Sequence, residues 1–593
     1  MIDDVTSDRS GEWYSKLNRM TRQDQDKSEV TRVEQISHLS DQEQAELIAD
    51  NLAEISNSYK GVELSDINYP PFSTQDIPQL STQKVKEYIL RIKTKKSTPP
   101  GDIPSKIIKE FAGYLCVPLT DIINSSLSLG QWPSCYKKET ITPIPKEYPV
   151  LTIDMLRPIS ALLTFNKIQE VAICEMIISD MSANLDPTQY GNRKRTGIQH
   201  YLVKMLHRIL SETDRNSKKE IRAVICTLVD WRQAYSRQSH ILGVRSFLAN
   251  GVRPSLIPII TNYFTSREMK VKWHSTFSKS RKMPGSGAMG SFIGNQEFDS
   301  QTNHNADCVP ESDRFKFVDD LTFLEVINLV NIGLSSYNTR QQVPNDLPTH
   351  GQFVDNAQLK SQTYLDQINL WTVNQEMEIS EKKTKVMIVN FTEKYQFHTR
   401  LQLKNQNIQV VDNIKILGTT FNNKLTWDEN CSNLIRKVNA RMQLLRKVWS
   451  FGSSVTEMVH LWRTYCLSIL EQSCVVWGNL LTEDNKLDLE RTQKSFCKLV
   501  LEEDYKNYEN ALFILQLETL DSRRKKLTLN FAKTSLADGH FHDLIKKKKT
   551  RKGLHTRKKE HYNVTFAHTD RYRRSPILTM QRLLNQDHKD NLK

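Results

Sequence analysis

Two apolar segments that end on aspartates constrain the fold of this chain more than any other feature. Residues 221–230 read IRAVICTLVD, the pattern of a buried β-strand that stops at Asp230. Residues 314–324 read RFKFVDDLTFL, which predicts two short strands around a tight turn at Asp319 and Asp320. A strand end that faces such a turn brings carboxylates from separate strands to one point. The pattern therefore predicts an acidic centre at the end of a sheet.

An acidic centre of this kind suits nucleotidyl transfer. That reaction uses two Mg²⁺ ions roughly 3.5–4 Å apart, one at the attacking hydroxyl and one at the leaving pyrophosphate. Mg²⁺ prefers hard oxygen ligands, so the protein must supply carboxylates, and Mn²⁺ accepts the same ligands. Taken singly, the aspartates have ordinary alternatives. Asp319 and Asp320 could be solvated turn residues, and Asp230 could cap a helix.

The order of the predicted elements indicates an α+β fold followed by an all-α region. Residues 1–75 are polar and predict a linker, partly disordered, with one helix near residues 41–55. Residues 139–146 alternate like an edge strand that prolines interrupt. Strands mixed with helices continue to about residue 425, and helical periodicity covers residues 432–480.

The positive charge of the chain is concentrated at its C-terminal end. The net charge is +14, and residues 523–593 hold 20 Lys and Arg against six Asp and Glu, an excess of the same size. The basic clusters predict contacts with nucleic-acid phosphates, although a solvated, disordered tail fits the same composition. The clustered residues are Arg523, Arg524, Lys525, Lys526, Lys546, Lys547, Lys548 and Lys549.

Cysteine usage and hydropathy bear on the compartment. The nine cysteines are scattered and form no C-x-x-C motif, which argues against a zinc site. The start of the chain is polar and acidic, and no apolar run approaches the ~20 residues of a membrane span. We therefore expect a reduced, intracellular protein, in the nucleus or the cytoplasm, with no membrane partner.

Several short motifs follow one another in an order that is more informative than any one of them. They are PPGDIP at 99–104, LGQWP at 129–133, ITPIPK at 141–146, LRPISAL at 156–162, VDWRQAY at 229–235, FVDD at 317–320, EKKTK at 381–385, ILGTT at 416–420, LTW at 425–427 and VVWG at 475–478. As a set they resemble the reverse transcriptase region of non-LTR, LINE-type (jockey-like) retrotransposons. The resemblance covers well over half of the chain.

This resemblance implies a right-hand polymerase. Fingers would span residues 76–220, a palm with an antiparallel, Asp-bearing sheet would span 221–425, and a helical, thumb-like domain would span 426–522. The basic tail would follow from residue 523. Such a polymerase would copy an RNA template by extending a DNA primer with dNTPs.

The resemblance also implies a role for each matched residue. Asp230, Asp319 and Asp320 would bind the two Mg²⁺ ions. Lys383 would act as a general acid toward pyrophosphate, although a solvated surface lysine fits the same position.

Four further residues match positions around the incoming nucleotide. Arg157 would contact the triphosphate, because its planar guanidinium suits phosphate oxygens. Lys137 and Lys146 would assist it, or be plain surface lysines. Tyr235 would block the ribose 2′-hydroxyl and so favour dNTPs, although a core aromatic fits this position as well.

The glycine-rich stretch GSGAMG at residues 285–290 departs from the family pattern GGGPQG. Gly285, Gly287 and Gly290 would still allow the backbone to approach template and primer closely. Met289 replaces the glutamine that would position template and nucleotide, and it cannot form the amide hydrogen bonds.

Leu417 and Gly418, within the ILGTT motif, would lie under the primer end. The ~75 residues before the matched region are too few for the endonuclease that such elements carry, so a separate endonuclease is an expected partner. Two alternatives stay open. One is a catalytically impaired or inactive, nucleic-acid-binding remnant of such a polymerase, and the other is a scaffold protein that acts through its helical domain.

Overall fold

The computed structural model describes residues 31–94, 98, 101–214, 220–287, 289–330, 350–391, 399–548 and 561–590. Within these ranges strands and helices alternate until the last strand ends at Asn422, and long helices follow from Asp428. The predicted α+β class is therefore confirmed.

The elements are numbered in chain order. The strands are β1 Lys138–Pro145, β2 Leu156–Ala161, β3 Glu220–Val229, β4 Glu268–Trp273, β5 Thr276–Phe277, β6 Arg281–Lys282, β7 Arg314–Phe317, β8 Asp320–Val330, β9 Lys385–Val389, β10 Gln402–Leu403, β11 Gln406–Asn407, β12 Gln409–Val410, β13 Asn413–Ile416 and β14 Thr419–Asn422. The helices up to the last strand are α1 Asp41–Asn57, α2 Thr82–Arg91, α3 Ser105–Glu110, α4 Ala112–Leu129, α5 Thr164–Met181, α6 Ile198–Thr213, α7 His240–Ala249, α8 Ile257–Phe264, α9 Phe292–Gln301 and α10 His350–Asn374. The later helices are α11 Asp428–Ser450, α12 Val455–Leu461, α13 Ser468–Leu470, α14 Cys474–Trp477, α15 Glu483–Leu501, α16 Tyr508–Ile514, α17 Leu520–Ala537, α18 Asp570–Arg573 and α19 Pro576–Asp590.

The central sheet has five strands in the order β12-β9-β3-β8-β7. Strand β3 pairs antiparallel with both β8 and β9. Val224 and Cys226 face a core that includes α6 and the C-terminal helices, whereas Ala223 and Ile225 face a core that includes α10. Because both faces of β3 are buried, its sequence is almost continuously apolar and does not alternate.

A second sheet has the order β2-β1-β4-β5, with β6 paired to β4. Strand β1 pairs antiparallel with β2 and parallel with β4, so the prediction of an edge strand was wrong. Pro143 lies opposite Pro158 in β2, and the pairing with β4 already ends at Ile141. The missing N–H of Pro143 therefore removes no bond from the ladder with β4.

The predicted linker over residues 1–75 is folded from residue 33 onward, which corrects the prediction for that part; residues 1–30 lie outside the described ranges. Helix α1 begins with a capping box in which Ser40 and Glu43 satisfy each other's backbone N–H groups. Its buried face, which includes Ile48, packs on β4. The apolar residues of this segment are few, but they lie on one face of a helix.

The helices from α11 onward share one core with α6. The predicted boundary at residue 523 falls inside α17, and α19 packs on α6 and α17 with Ile577 and Leu578 fully buried. The described parts of the predicted tail are therefore a continuation of the helical region. Among the described residues, none of the helices combines the length and the apolar character needed to cross a membrane.

Candidate active site

The register of the central sheet places Asp230 beside Asp320. In the β3–β8 ladder Val229 pairs with Leu321, so the next two residues, Asp230 and Asp320, face each other just beyond the end of β3. The Ser380 N–H donates to the carbonyl oxygen of Asp230 at 2.8 Å and so fixes the position of this strand end.

Asp319 lies in a two-residue turn at the same end of the sheet. Phe317 pairs with Asp320 across the β7–β8 hairpin, which leaves Val318 and Asp319 as the turn. Val318 has a φ of 57°, a left-handed conformation that costs a β-branched residue on the order of 1–3 kcal/mol. The hairpin thus brings the third carboxylate to the first two.

Burial and mutual repulsion raise the pKa values of these carboxyls. Burial, followed by the charges of Asp319 and Asp230, raises the pKa of Asp320 to about 7. Burial also raises the pKa of Asp230, opposed by Lys383, and the pKa of Asp319, opposed in part by Arg157. Asp319 and Asp320 are nevertheless exposed residues. A ligand or a metal ion can therefore reach their oxygens from solvent.

Three cations share this site. Burial, and then the positive charges of Lys383 and Arg157, lower the pKa of Lys146, so the three side chains are close enough to interact. The Lys146 ammonium donates to the carbonyl oxygen of Asp154 at 2.7 Å, and Arg157 and Lys383 are exposed. Clustered cations beside clustered carboxylates suit the binding of a polyanion.

The three carboxylates have the chemistry that a divalent cation requires. They are hard oxygen donors, and the charges of Asp319 and Asp230 add to desolvation in raising the pKa of Asp320, a repulsion that a divalent ion would relieve. In the described ranges, no group of three or more His, Cys, Asp or Glu side chains is arranged so that it could hold a metal ion as it stands. The fit therefore rests on donor type and charge, and not on a finished coordination geometry.

A cleft of ≈ 570 Å³ opens beside Asp230 and Asp320. Its walls come from the central sheet, from β13 and β14, and from α11. The lysines that line it are Lys382, Lys383, Lys385 and Lys415. The cleft therefore joins the acidic end of the sheet to the helical region along a cationic surface.

Lys137 lies in a different environment from the other predicted cations. Its ammonium donates to the side-chain oxygen of Asn262 at 2.8 Å. Burial, and then the charge of Arg267, lower its pKa. Lys137 therefore interacts with Asn262 and Arg267, whereas the charges of Lys146 and Arg157 act on Asp230 and Asp319.

Tyr235 is half-buried, five residues after Asp230. Its ring stacks on Phe298 with the centroids 4.8 Å apart and the planes at 20°. Burial, then the charges of Asp299 and Asp319, raise its pKa. The structure therefore brings Tyr235 near the carboxylates and fixes its ring against Phe298.

Gly285 and Gly287 are buried against protein. A Cβ atom on Gly285 would lie 2.7 Å from the Tyr59 Cβ, and one on Gly287 would lie 2.0 Å from the Gln238 Oε1. The Gly287 N–H also donates to the carbonyl oxygen of Tyr235 at 2.6 Å. The absence of a side chain at these two positions therefore allows close packing within the protein, and their role toward template and primer stays a prediction.

Met289 and Gly290 lie against β2. The Met289 carbonyl accepts a hydrogen bond from the Ser160 N–H at 2.8 Å. Gly290 is exposed and has a φ of 115°, which only glycine adopts readily. Met289 lines a narrow pocket of ≈ 40 Å³ together with Lys146 and Pro158. It therefore borders the group of active-site cations.

The turn of Leu417 and Gly418 joins β13 to β14, with Ile416 paired to Thr419. Both turn residues have positive φ, 46° and 84°. A Cβ atom on Gly418 would lie 2.8 Å from the Gln472 Nε2. Because β13 lines the 570 Å³ cleft, this turn lies between the cleft and the helical region.

The first predicted basic cluster lies on α17. Arg523 is ion-paired with Glu471, and Arg524 has only 2% of its side chain exposed and packs beside Gly478. A buried guanidinium cannot reach a phosphate, so the structure corrects the prediction for Arg524. The cause is that α17 turns one of its basic residues into the helical core.

The other basic residues are exposed where they are described. Lys525 and Lys526 form surface ion pairs with acidic residues of the same region, at 2.7 Å each. Lys546 and Lys547 line a second cleft, of ≈ 640 Å³, and Lys548 follows them on the surface. Lys549 lies outside the described residues.

The segment that supports the Asp319 turn was not predicted from the sequence. Gln189 is buried, and its amide bonds to the backbone of Val318, 129 residues along the chain. Gly191 abuts the same turn, because a Cβ atom there would lie 2.4 Å from the Val318 Cγ2. A glutamine and a glycine in a polar stretch predict a surface turn, and no local pattern points to so distant a contact.

Comparison with known proteins points to the same class of protein as the sequence motifs. No family model matches the chain. The chain is similar to the RNA-directed DNA polymerase from mobile element jockey of Drosophila melanogaster, with 23% identity over 395 residues. The match covers 63% of this chain and 39% of the jockey protein, so the chain spans well under two thirds of that relative. This distant similarity relates the chain to RNA-directed DNA polymerases of mobile elements.

Proposed function

We propose that this protein is an RNA-directed DNA polymerase of a non-LTR retrotransposon, which extends a DNA primer with dNTPs on an RNA template. The observation that carries the proposal is the meeting of Asp230, Asp319 and Asp320 at the end of two paired antiparallel strands. The similarity to the jockey polymerase supports it from a separate direction. A location in the nucleus or cytoplasm and a separate endonuclease partner belong to the same proposal.

The three carboxylates would hold two Mg²⁺ ions, or Mn²⁺. When bound, such ions activate the primer hydroxyl and neutralise charge on the phosphates. Asp230 is fixed by the end of β3, and Asp320 by the first pair of β8. Most of the catalytic effect would come from this positioning and from fixed charge.

The cations beside the carboxylates would bind the nucleotide. Arg157 and Lys146 would contact the triphosphate, and Lys383 would give a proton to pyrophosphate as it leaves. Tyr235, held by its stack on Phe298, would close the space that a ribose 2′-hydroxyl needs. Lys137 has no part in this proposal, because the cations whose charges act on Asp230 and Asp319 are Lys146, Arg157 and Lys383.

Primer extension with Mg²⁺ on poly(rA)/oligo(dT) tests the proposal. The wild-type protein should extend the primer, and Asp319→Ala should lose at least roughly 10³-fold in rate, because removing a metal ligand removes the charge stabilisation of the transition state. Asp366→Ala, which removes an exposed carboxylate on α10, should extend normally. Extension by Asp319→Ala at the wild-type rate would overturn the metal assignment.

Absence of extension by the wild type, with RNA binding retained, would instead indicate an inactive remnant of such a polymerase. Met289→Gln is then the first change to make, because it restores the amide that the family pattern carries at this position.

The basic residues of the C-terminal region would bind the phosphate backbone. RNA affinity should fall steeply as salt rises, and the double change Lys546→Gln with Lys547→Gln should reduce the slope of log K against log salt by about one to two. The paired change Lys84→Gln with Lys93→Gln, on the N-terminal side of the molecule, is the charge-matched control. An unchanged slope for the C-terminal pair would contradict its assignment.

A further inference from the structure

The turn that carries Asp319 has an unfavourable backbone. Val318 occupies the left-handed region at a φ of 57°, where a β-branched side chain is crowded and glycine is not. The two-residue hairpin loop calls for a positive φ at this position, but valine adopts it at a cost that glycine would not have. Contacts from outside the hairpin can offset that cost.

Gln189 supplies those contacts. Its side chain is almost fully buried. Its Oε1 accepts from the Val318 N–H at 2.9 Å, and its Nε2 donates to the Val318 carbonyl at 3.3 Å. The same Oε1 accepts from the Gly191 N–H at 2.9 Å, which fixes the orientation of the amide. One side chain thus binds both polar backbone atoms of the strained residue.

The segment around Gln189 is itself anchored to β7. The Lys316 N–H donates to the Thr188 carbonyl at 3.0 Å, and the Tyr190 N–H donates to the Lys316 carbonyl at 2.9 Å. Gly191 allows the two segments to meet, since a Cβ atom there would lie 2.6 Å from the Val318 N. Gln189 therefore reaches the turn from a rigid neighbour.

We propose that Gln189 is a positioning residue that holds Val318 in its left-handed conformation and thereby sets the position of Asp319. The proposal rests on the polymerase function proposed above. Gln189 acts through the backbone of the turn and touches neither substrate nor metal.

The test is a double-mutant cycle between Gln189 and Val318. Gln189→Ala should lower kcat for primer extension roughly 10²-fold, because a displacement of about 1 Å in a reacting constellation costs that much. A glycine at position 318 adopts the left-handed conformation without outside contacts. Adding Gln189→Ala to the Val318→Gly protein should therefore lower kcat less than about tenfold. The KM for dTTP should stay within about threefold throughout, because the nucleotide-binding cations are untouched.

Gln493→Ala is the matched control. Gln493 is also fully buried, and its amide donates to Tyr508 and to the Glu518 carbonyl in the helical region. Its loss should lower stability without lowering kcat, and Val318→Gly should not alter its effect. An equal kcat loss from Gln189→Ala in the wild-type protein and in the Val318→Gly protein would overturn the proposal.

Unfolding in urea separates this inference from the proposed function. Gln189→Ala should raise the equilibrium constant for unfolding roughly tenfold, and clearly less in the Val318→Gly protein. Additive effects of the two changes on unfolding would overturn the proposed role of Gln189 even if the enzyme is active. If the unfolding effects are coupled but the wild-type protein extends no primer, the proposed role of Gln189 would stand and the proposed polymerase function would be overturned. If Gln189→Ala does not fold, Gln189→Glu, which keeps the acceptor and loses the donor, takes its place in both cycles.

Discussion

The molecule contains two tight hairpins near the same cleft, and they are stabilised in different ways. The β13–β14 turn uses Gly418 for one of its two left-handed positions, and Leu417 takes the other while packing on the helical core. The β7–β8 turn places Val318 in a left-handed position without any glycine and depends on Gln189. The β13–β14 turn thus includes a glycine, whereas the β7–β8 turn is held by a side chain from a distant segment. The second arrangement suits the hairpin that presents Asp319.

The two hairpins are also attached to the rest of the protein by different kinds of contact. Lys316 of β7 is buried and paired with Asp186 at 2.6 Å, and each side chain is 2% exposed. The β13–β14 hairpin is joined to α11 by a neutral bond from the Thr420 N–H to the Asn430 side chain at 3.1 Å. The first hairpin therefore depends on a buried charge pair that the second lacks, and each prediction below tests this difference.

The largest effect is expected from Lys316→Met. This change leaves Asp186 buried with less compensation and should lower the free energy of unfolding by about 3–5 kcal/mol. Lys360→Met removes a half-exposed partner of Glu325 and should cost only about 0–1 kcal/mol. Urea unfolding of both variants measures the difference. Similar costs for the two lysines would show that β7 is not anchored by its ion pair.

A smaller effect is expected on acidification. Burial alone would raise the pKa of Asp186, but Lys316, the Thr188 N–H and Arg314 together lower it to about 2. Because this value lies below that of the unfolded chain, the stabilisation is present above about pH 4 and is lost as the pH falls toward 2. The loss should amount to about 2 kcal/mol. Asp186→Asn should show a shallower decline in urea midpoint between pH 5 and pH 2.5, and parallel declines would contradict the assignment.

The smallest effects come from placing glycine in each turn. Val318→Gly removes an unfavourable φ and should change the free energy of unfolding by less than about 1 kcal/mol, because the gain offsets the greater freedom of the unfolded chain. Leu417→Gly also removes a positive φ but loses a half-buried side chain, and it should destabilise by about 1–2 kcal/mol. Thermal unfolding compares them. A greater loss of stability from Val318→Gly than from Leu417→Gly would mean that the Val318 side chain, and not the Gln189 amide, supports the turn.

Much of the fold followed from local patterns. The run IRAVICTLV predicted β3 within one residue, and FKFVDDLTF predicted the β7–β8 hairpin. The edge assignment of β1 failed because prolines suggested an unpaired side, whereas Pro143 and Pro158 face each other. The predicted helix near residues 41–55 is confirmed by α1, but the linker interpretation of the surrounding segment failed because the apolar face of α1 is narrow and lies within a polar sequence.

Part of the candidate site could also be predicted from local strand patterns. Asp230, Asp319 and Asp320 lie next to strong strand signals, so their meeting could be expected from the sequence. Lys137 and Arg524 carry the same charge as the residues that reach the cleft, and only their packing against Asn262 and Gly478 separates them.

The sequence by itself determined β3 and the β7–β8 hairpin and placed aspartates at the end of β3 and in the turn of the hairpin, because apolar runs and turn residues act over a few positions. The tertiary structure alone decided that β3 pairs with β8 in the register that joins Asp230 to Asp320. It alone decided that Gln189 holds Val318. Both depend on contacts between segments about 90 to 130 residues apart, and the free energy of such contacts comes from packing and buried hydrogen bonds that no local pattern records.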